Sequence, residues 1–301
     1  MERKEGRKMG RRHMIISTEF YSDNGPHMSI NQDNYYVDGI INDKSSLVSW
    51  GSRRFSSKKA SFAAVYDGIG GGSSGEIASI EAAKCAGLVT DNLTHDFSKA
   101  ELKDSLSCYY NVFYRNLTDR IKPDRQKSPV CGTTCAGAVV KDTCLYPVWC
   151  GDSRVYLLRK GKLKLLTKDH SLAQEKIDYG LITEKEARNM KAWHTLTAYM
   201  GSEDMNMATG DTLELVSGDR IFICTDGITD VCTDDRLEHI LSGSARKVKE
   251  TLNHEVISKA EDNCTYIIMD VKENGLCRIV NMLREQLEAC LLKKQKKSME
   301  R

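Results

Sequence analysis

The chain has 301 residues, 40% of them hydrophobic and 29% charged, with a formal net charge of +2. That length can bury a substantial core in one large domain or two small ones. The near-balance of charge excludes a surface given over to nucleic acid or to anionic membrane, and no apolar run reaches the length of a membrane span. The 11 cysteines are odd in number and include no Cys-x-x-Cys pair, so they read as reduced thiols packed as small hydrophobes in a cytoplasmic protein, not as a zinc cluster.

Residues 1–13 carry Arg3, Lys4, Arg7, Lys8, Arg11 and Arg12 and read as a solvated basic arm. No apolar segment follows them, so they do not form a secretory signal. Residues 14–18 predict a first strand and residues 22–26 a turn. Asn31-Gln32-Asp33-Asn34 then leads into Tyr35-Tyr36-Val37, which puts Asp33 at the mouth of a β-prone run. On local grounds Asp33 is a turn aspartate bonding its own backbone. Residues 42–60 are polar and rich in Ser, Lys and Arg, and predict a loop between paired strands. Residues 61–66 form an apolar strand that ends on Asp67 and runs at once into Gly68-Ile69-Gly70-Gly71-Gly72. Such a strand delivers a carboxylate to its mouth, and the glycines let backbone carbonyls approach an ion closely.

Ser73-Ser74-Gly75-Glu76 fits a capping box with Ser73 as N-cap, followed by Ile77, Ile80, Ala83 and Leu88 at helical spacing. A second helix is carried by Leu102, Leu106, Tyr109, Phe113 and Leu117, ending at Lys122-Pro123-Asp124. Each has one apolar stripe and one polar face, so each should cover a sheet. From Cys131 onward the pattern is β: residues 133–140, 145–150, 155–158 and 163–166, the last pair joined by a hairpin at 159–162. Asp152 interrupts this series beside Gly151. Residues 169–202 lack a strong apolar stripe and read as a mobile flap, with short helices starting near Ser171 and Thr183; His194, within it, reads as a packed or surface histidine. Residues 212–216 predict a strand. The run ending Cys224-Thr225-Asp226-Gly227 repeats the grammar of strand, acid and glycine, with Asp230 four residues on. Glu261-Asp262-Asn263 introduces a last strand, 264–271. Beyond it, Leu276, Val280, Leu283, Leu287 and Cys290 predict a C-terminal helix that packs on the protein's own sheet, with a basic tail at 293–297.

Asp67 and Asp226 thus end strands, while Asp33, Asp152 and Asp262 flank them. Acids gathered for stability alone would repel one another, so a cluster of this kind is better explained by a cation. All-oxygen ligands suit Mg²⁺ or Mn²⁺. Two such ions bridged by a carboxylate lower the pKa of a shared water and orient it for attack on phosphorus, with no serine or cysteine nucleophile.

From residue 14 to residue 271 the chain resembles the metal-dependent serine/threonine protein phosphatases of type 2C, in the bacterial style. The matching pieces are Asn31-Gln32-Asp33, Asp67-Gly68-Ile69-Gly70-Gly71, Gly132-Thr133-Thr134, Gly151-Asp152-Ser153-Arg154-Val155-Tyr156, Thr167-Lys168-Asp169-His170-Ser171, Thr225-Asp226-Gly227-Ile228-Thr229-Asp230 and Asp262-Asn263. The resemblance implies an α+β fold: a four-layer α/β/β/α sandwich of two antiparallel sheets flanked by helix pairs, with metals in a cleft at one edge. It implies two Mn²⁺ or Mg²⁺ ions, bridged by Asp67, with the Gly68 carbonyl on one and Asp226 and Asp262 on the other. Asp33 would order metal-bound water, and Asp152 and Asp230 would hold a third, weaker ion. It divides the chain into a basic arm at 1–13, a phosphatase domain at 14–271 with its flap at about 172–202, and a C-terminal helix and tail at 272–301. The implied partners are proteins phosphorylated by a serine/threonine kinase, acted on by a monomer, with neither nucleic acid nor membrane involved.

Two positions depart from the family pattern. Met28 stands where an arginine usually grips the substrate phosphate, leaving His27, Arg53 and Arg54 as candidates for that task. Ile69 stands where many eukaryotic members place a histidine. The missing arginine keeps open a second reading, a catalytically weak or inactive metal-bound phosphoprotein-binding module of the same fold. A nucleotide-binding reading of the Gly70-Gly71-Gly72 turn is disfavoured, because the Gly-Lys-Ser/Thr ending of a P-loop is absent.

Overall fold

Every residue of the strand Ser61–Tyr66 is buried, which requires packing on both faces of its sheet. The computed structural model supplies both, and describes residues 13–44, 46–70, 74–91, 93, 97–121, 131–187, 190, 194–202, 205 and 207–275. Ala63 and Val65 point to one side, into a core shared with Ile16, Ile223 and Ile267. Phe62, Ala64 and Tyr66 point to the other, against Ala78, Ala82, Leu102 and Tyr109. The alternation follows directly from the two-residue period of a strand.

Two antiparallel sheets result. One runs Lys162–Leu165, Arg154–Arg159, Arg220–Cys224, Cys264–Glu273, Met14–Asp23, Val48–Ser56. The other runs Ala208–Thr209, Cys144–Cys150, Cys135–Lys141, Ser61–Tyr66, Asn34–Val37, Ile40–Ile41, with Leu213–Glu214 also on Cys144–Cys150. Between them lies the core that holds Ala63 and Val65. The helices Ser74–Cys85 and Lys99–Ile121 cover the outer face of the second sheet. The helices Asp234–Leu241 and Ala245–Thr251 cover the first, through Leu237, Ile240 and Val248 against Phe222, Tyr266 and Ile268. The expected order of layers, α/β/β/α, is the order found.

Several local expectations change. Residues 42–60 contain not only loop but a nine-residue edge strand, Val48–Ser56, paired along its length with Met14–Asp23. Its polar side chains hid it, because an edge strand exposes most of what it carries. The strand expected at 212–216 shrinks to Leu213–Glu214. The first helix stops at Cys85, and Leu88 belongs to a separate turn, Leu88–Asp91. The segment 172–202 is tied at its far end: Met200 is wholly buried and exchanges two backbone hydrogen bonds of 2.8 Å with Thr133. Its helix Leu172–Asp178 starts at Ser171, which accepts from the Gln174 amide at 3.2 Å. Thr183 and Glu186 cap each other ahead of Glu184–Ala187. The basic arm before His13, the N-cap Ser73, the Lys122-Pro123-Asp124 stop and the amphipathic stretch beyond Gly275 lie outside the described residues.

Candidate metal centre

Antiparallel pairing gathers the acids. Asn34 lies opposite Tyr66, so Asp33 and Asp67, one step beyond each, share one end of the second sheet. Cys224 lies opposite Tyr266, so Asp226 and Asp262 share the corresponding end of the first. Because the sheets are stacked, both ends open on the same edge of the sandwich.

Each acid is held by its backbone and neighbours. The Asp67 amide donates to Thr134 Oγ1 at 3.0 Å, and its carbonyl accepts from Thr133 Oγ1 and the Thr134 amide, both at 2.8 Å. Asp33 Oδ2 accepts from Thr225 Oγ1 at 2.8 Å, a bond from one sheet to the other. Asn263 takes the Gln32 amide at 2.8 Å and donates to the carbonyls of Asn24 and Ile30, both at 3.0 Å, which fixes the loop leading to Asp33. Gly227 packs on the Asn263 carbonyl so closely that a Cβ would come within 2.1 Å of it. Asp152 follows Gly151, whose φ of 101° favours glycine. Behind it, Ser153 Oγ meets Thr134 Oγ1 at 2.7 Å, and Arg154 grips Asp169 with Nε at 2.9 Å and Nη2 at 2.6 Å. The motif around Thr167 and His170 therefore serves to brace Asp152.

The electrostatics are unbalanced. Burial, then the charges of Asp226, Asp33, Asp262 and Asp152, push the Asp67 carboxyl well above the usual carboxylate range. Asp33 is raised by burial and by Asp262 and Asp226, against hydrogen bonds from Thr265 and Thr225. Asp152 is raised by burial, then by Asp226 and Asp169. Asp262, exposed at the rim, is raised by lost hydration and by Asp226. Asp226 alone moves down: burial opposes it, but hydrogen bonds from His194 and Asp67 prevail. Even so, Asp226 Oδ1 is buried with no hydrogen-bond partner. A buried, unpaired carboxylate oxygen ringed by other carboxylates fits a divalent cation.

His194 is the residue that sequence reasoning undervalued. Its Nδ1 lies 3.3 Å from Asp226 Oδ2 and its Nε2 lies 3.3 Å from Asp230 Oδ2. Bonded to Asp226, and with Asp230 beside it, the imidazole is raised to about 9 although burial pulls the other way. Asp152, His194 and Asp226 each offer one ligand atom, and these lie within 4.8 Å of one another. Its position after Trp193 carries no motif, so only the fold could reveal it. Asp230 is exposed at the mouth. The Gly68 carbonyl oxygen lies against Gly75, where a Cβ would approach it to 2.5 Å; Gly71 and Gly72 lie outside the described residues.

The candidates for gripping phosphate divide. His27 is exposed in the turn that follows Asn24, two residues from Gly25, which abuts the Asp262 carbonyl. Arg53 faces Asp38 at 3.6 Å, beyond the far end of Asn34–Val37 from Asp33. That places it on the order of 15 Å from the cleft, at about 3.3 Å per strand residue. Arg54 is opposite Ser17, further still along the same strand. The structure does not bring either arginine to the carboxylates.

The comparisons agree on one family. Residues 41–176 match the model for protein phosphatase 2C. The serine/threonine phosphatase stp of Listeria innocua is 25% identical, over 85% of this chain and 96% of its own. The serine/threonine protein phosphatase PstP of Mycobacterium tuberculosis is 30% identical over 69% of this chain and 40% of its own. Among solved structures, the Mycobacterium tuberculosis phosphatase PstP/Ppp matches with a TM-score of 0.67 at 25% identity, covering 86% of this chain and 99% of that one. The PstP catalytic domain in complex with 2 manganese ions matches at 0.68 and 24% identity, covering 86% and 99%. Together these matches support a bacterial-type, metal-dependent serine/threonine protein phosphatase of type 2C, with Mn²⁺ or Mg²⁺ as its cofactor.

Proposed function

We propose that the chain hydrolyses phosphoserine and phosphothreonine in proteins at a pair of divalent ions held by Asp67, the Gly68 carbonyl, Asp226 and Asp262. The observation that carries this is the buried Asp226 oxygen with no partner, set among acids that raise one another's pKa values. Ions held there would supply Lewis-acid activation of water and neutralisation of charge on the phosphoryl group. Asp67 would be shared by the ions as the resemblance implies, and its backbone, clamped by Thr133 and Thr134, leaves its carboxyl to the cluster. Asp33, anchored by Thr225, would order the attacking water. Asp152 and Asp230 flank Asp226 and are the candidates for a third, weaker ion. His194 lies against Asp226 and Asp230, two of the acids that a cation would draw on.

The substrates are products of a serine/threonine kinase, and the enzyme works as a monomer in the cytoplasm. Its nine described cysteines are free thiols, which suits a reducing compartment. No described helix is long and apolar enough to cross a membrane. The segment 172–202 serves as the flap of a domain spanning 14–271. Met28 favours a second reading, a phosphoprotein-binding module with little turnover, and one experiment separates the two. Mn²⁺-dependent release of phosphate from a phosphothreonine peptide, lost in Asp67→Ala and Asp226→Ala, supports the enzyme. Peptide binding that depends on Mn²⁺ without phosphate release supports the module.

A further inference from the structure

The edge strand Val48–Ser56 has features that the cleft does not explain. Among the described residues it pairs on one side only, with Met14–Asp23. The Leu47 carbonyl accepts from Asn24 and the Ser57 amide donates to Met14, so odd-numbered residues face that partner. The alternation then turns the N–H and C=O groups of Val48, Trp50, Ser52, Arg54 and Ser56 toward the open edge. Leu47 and Val48 are each 48% exposed and Trp50 is 67% exposed, with Lys249 Nζ 4.5 Å from the Trp50 ring. Nearby Ile30 is 40% exposed.

The charge of this stretch is one-sided. From Lys44 to Tyr66 there are five basic residues (Lys44, Arg53, Arg54, Lys58 and Lys59) and no acid, in a chain whose 44 basic and 42 acidic residues otherwise nearly balance. Arg53 meets Asp38 across 3.6 Å; Lys44 precedes the strand, Arg54 lies in it, and Lys58 and Lys59 lie in the turn after it. Charges on an edge are a common guard against strand pairing, but such a guard needs no exposed tryptophan and valine beside it. A second copy of this strand would bring the same cations and no acid.

The strand also leads to the cleft. Its Val48 end lies opposite Asp23. There Asn31 Nδ2 donates to the Leu47 carbonyl at 3.1 Å, two residues before Asp33. Beside it, Gly25 abuts the Asp262 carbonyl.

We propose that this edge receives an extended acidic–apolar segment of the phosphoprotein substrate by strand addition, so that the phosphorylated residue emerges past Val48 at the carboxylate cleft. The proposal rests on the phosphatase reading and adds a substrate class to it. Antiparallel addition, the stabler pairing, runs the substrate from the Ser56 end toward Val48. The acids that meet Arg54 and the lysines beyond it therefore precede the phosphoresidue, by about six positions at roughly 3.3 Å per residue.

The test compares three substrates: p-nitrophenyl phosphate, a phosphothreonine peptide preceded by eight alternating Glu and Val residues, and the same residues placed after the phosphothreonine. The expected result is a KM roughly 5- to 10-fold lower for the first peptide than for the second, since a few added strand bonds are worth about 1 kcal/mol net. Ser52→Pro removes an outward N–H but no bond to Met14–Asp23. It should erase that preference while leaving p-nitrophenyl phosphate turnover unchanged. N-methylation of alternate amides in the preferred peptide should do the same on the unaltered protein, which keeps the test open if the proline variant does not fold. Equal KM values for the two peptides, or a preference that survives N-methylation, would overturn the docking proposal alone. Absence of Mn²⁺-dependent turnover on all three substrates would overturn the phosphatase reading beneath it.

Discussion

Two buried charge clusters lie within a few residues of each other, and they are finished differently. Arg154 and Asp169, whose side chains are 10% and 8% exposed, face each other with parallel hydrogen bonds, and Arg154 also donates to Tyr156. That cluster contains its own counter-charge. Asp152, two residues before Arg154, opens onto Asp226 and Asp67, and among the described residues the cationic group that bonds this cluster is the half-exposed ring of His194. Where the chain compensates its own buried charge it is building scaffold. Where it buries acids on a braced backbone without a basic partner of equal weight, it leaves the compensation to an added ion.

The contrast breaks first on activity. Replacing Asp67 with Asn should cut Mn²⁺-dependent turnover by at least roughly 100-fold, while raising the melting temperature in chelator, because one source of repulsion is gone. Replacing Arg154 with Met should instead cost stability. It strands Asp169 in the interior and should cost about 3–5 kcal/mol, or on the order of 10 °C in Tm, in chelator and in Mn²⁺ alike. A calorimetric scan of the two variants with and without Mn²⁺ reads both. If Asp67→Asn melted lower than the parent in chelator, the carboxylate cluster would be scaffold after all.

A smaller effect concerns pH. Asp33, Asp67 and Asp152 are raised in the folded chain above their ordinary value of 3.8. An acid raised in this way stabilises the fold below its unfolded pKa, and the contribution is lost as pH rises through the folded value. His194, raised from 6.5 to about 9, loses its contribution in the same direction over that interval. Asp226 is shifted down from 3.8, so its own contribution is complete above that value and does not change across the neutral range. In chelator, Tm should therefore fall by several degrees as pH rises from about 5 to about 9, and saturating Mn²⁺ should flatten the slope. A Tm in chelator that climbs with pH across that window would show that the acids are already compensated from within.

Much of the scaffold is legible in the sequence, because buried strands such as Ser61–Tyr66 announce themselves as apolar runs and their ends are marked by Asp67-Gly68 and Asp226-Gly227. The strand Val48–Ser56 is not legible: an edge strand satisfies half its backbone with water and carries polar side chains that resemble a loop. The acids can be picked out singly by their positions, but which of them meet depends on register, such as Asn34 against Tyr66, which no local pattern encodes. Thr225 and Asn263 show the same limit. Their roles are bonds to Asp33 and to the 24–32 loop, across about 190 and 230 residues of chain. His194 is the extreme case, a histidine without a motif that comes to the acids only because Met200 and Thr197 anchor its segment to Thr133 and His170.

His194 therefore offers the finest test of the contrast. If it stands in for a cation, His194→Gln should lower the Tm in chelator at neutral pH by a small amount, about 1 kcal/mol or less, because the ring is 53% exposed and well screened. The loss should vanish above about pH 10, where the parent imidazole is itself neutral. Under saturating Mn²⁺ a surrogate has nothing left to contribute, so parent and variant should melt together. Titration of Mn²⁺ into both by calorimetry adds the other half. A substitute that competes with the ion predicts equal or tighter binding in His194→Gln, whereas a ring that ligates the ion predicts weaker binding at one site. Weaker binding would move His194 from the compensated side of the comparison to the reserved one, and make the 172–202 segment part of the metal centre itself.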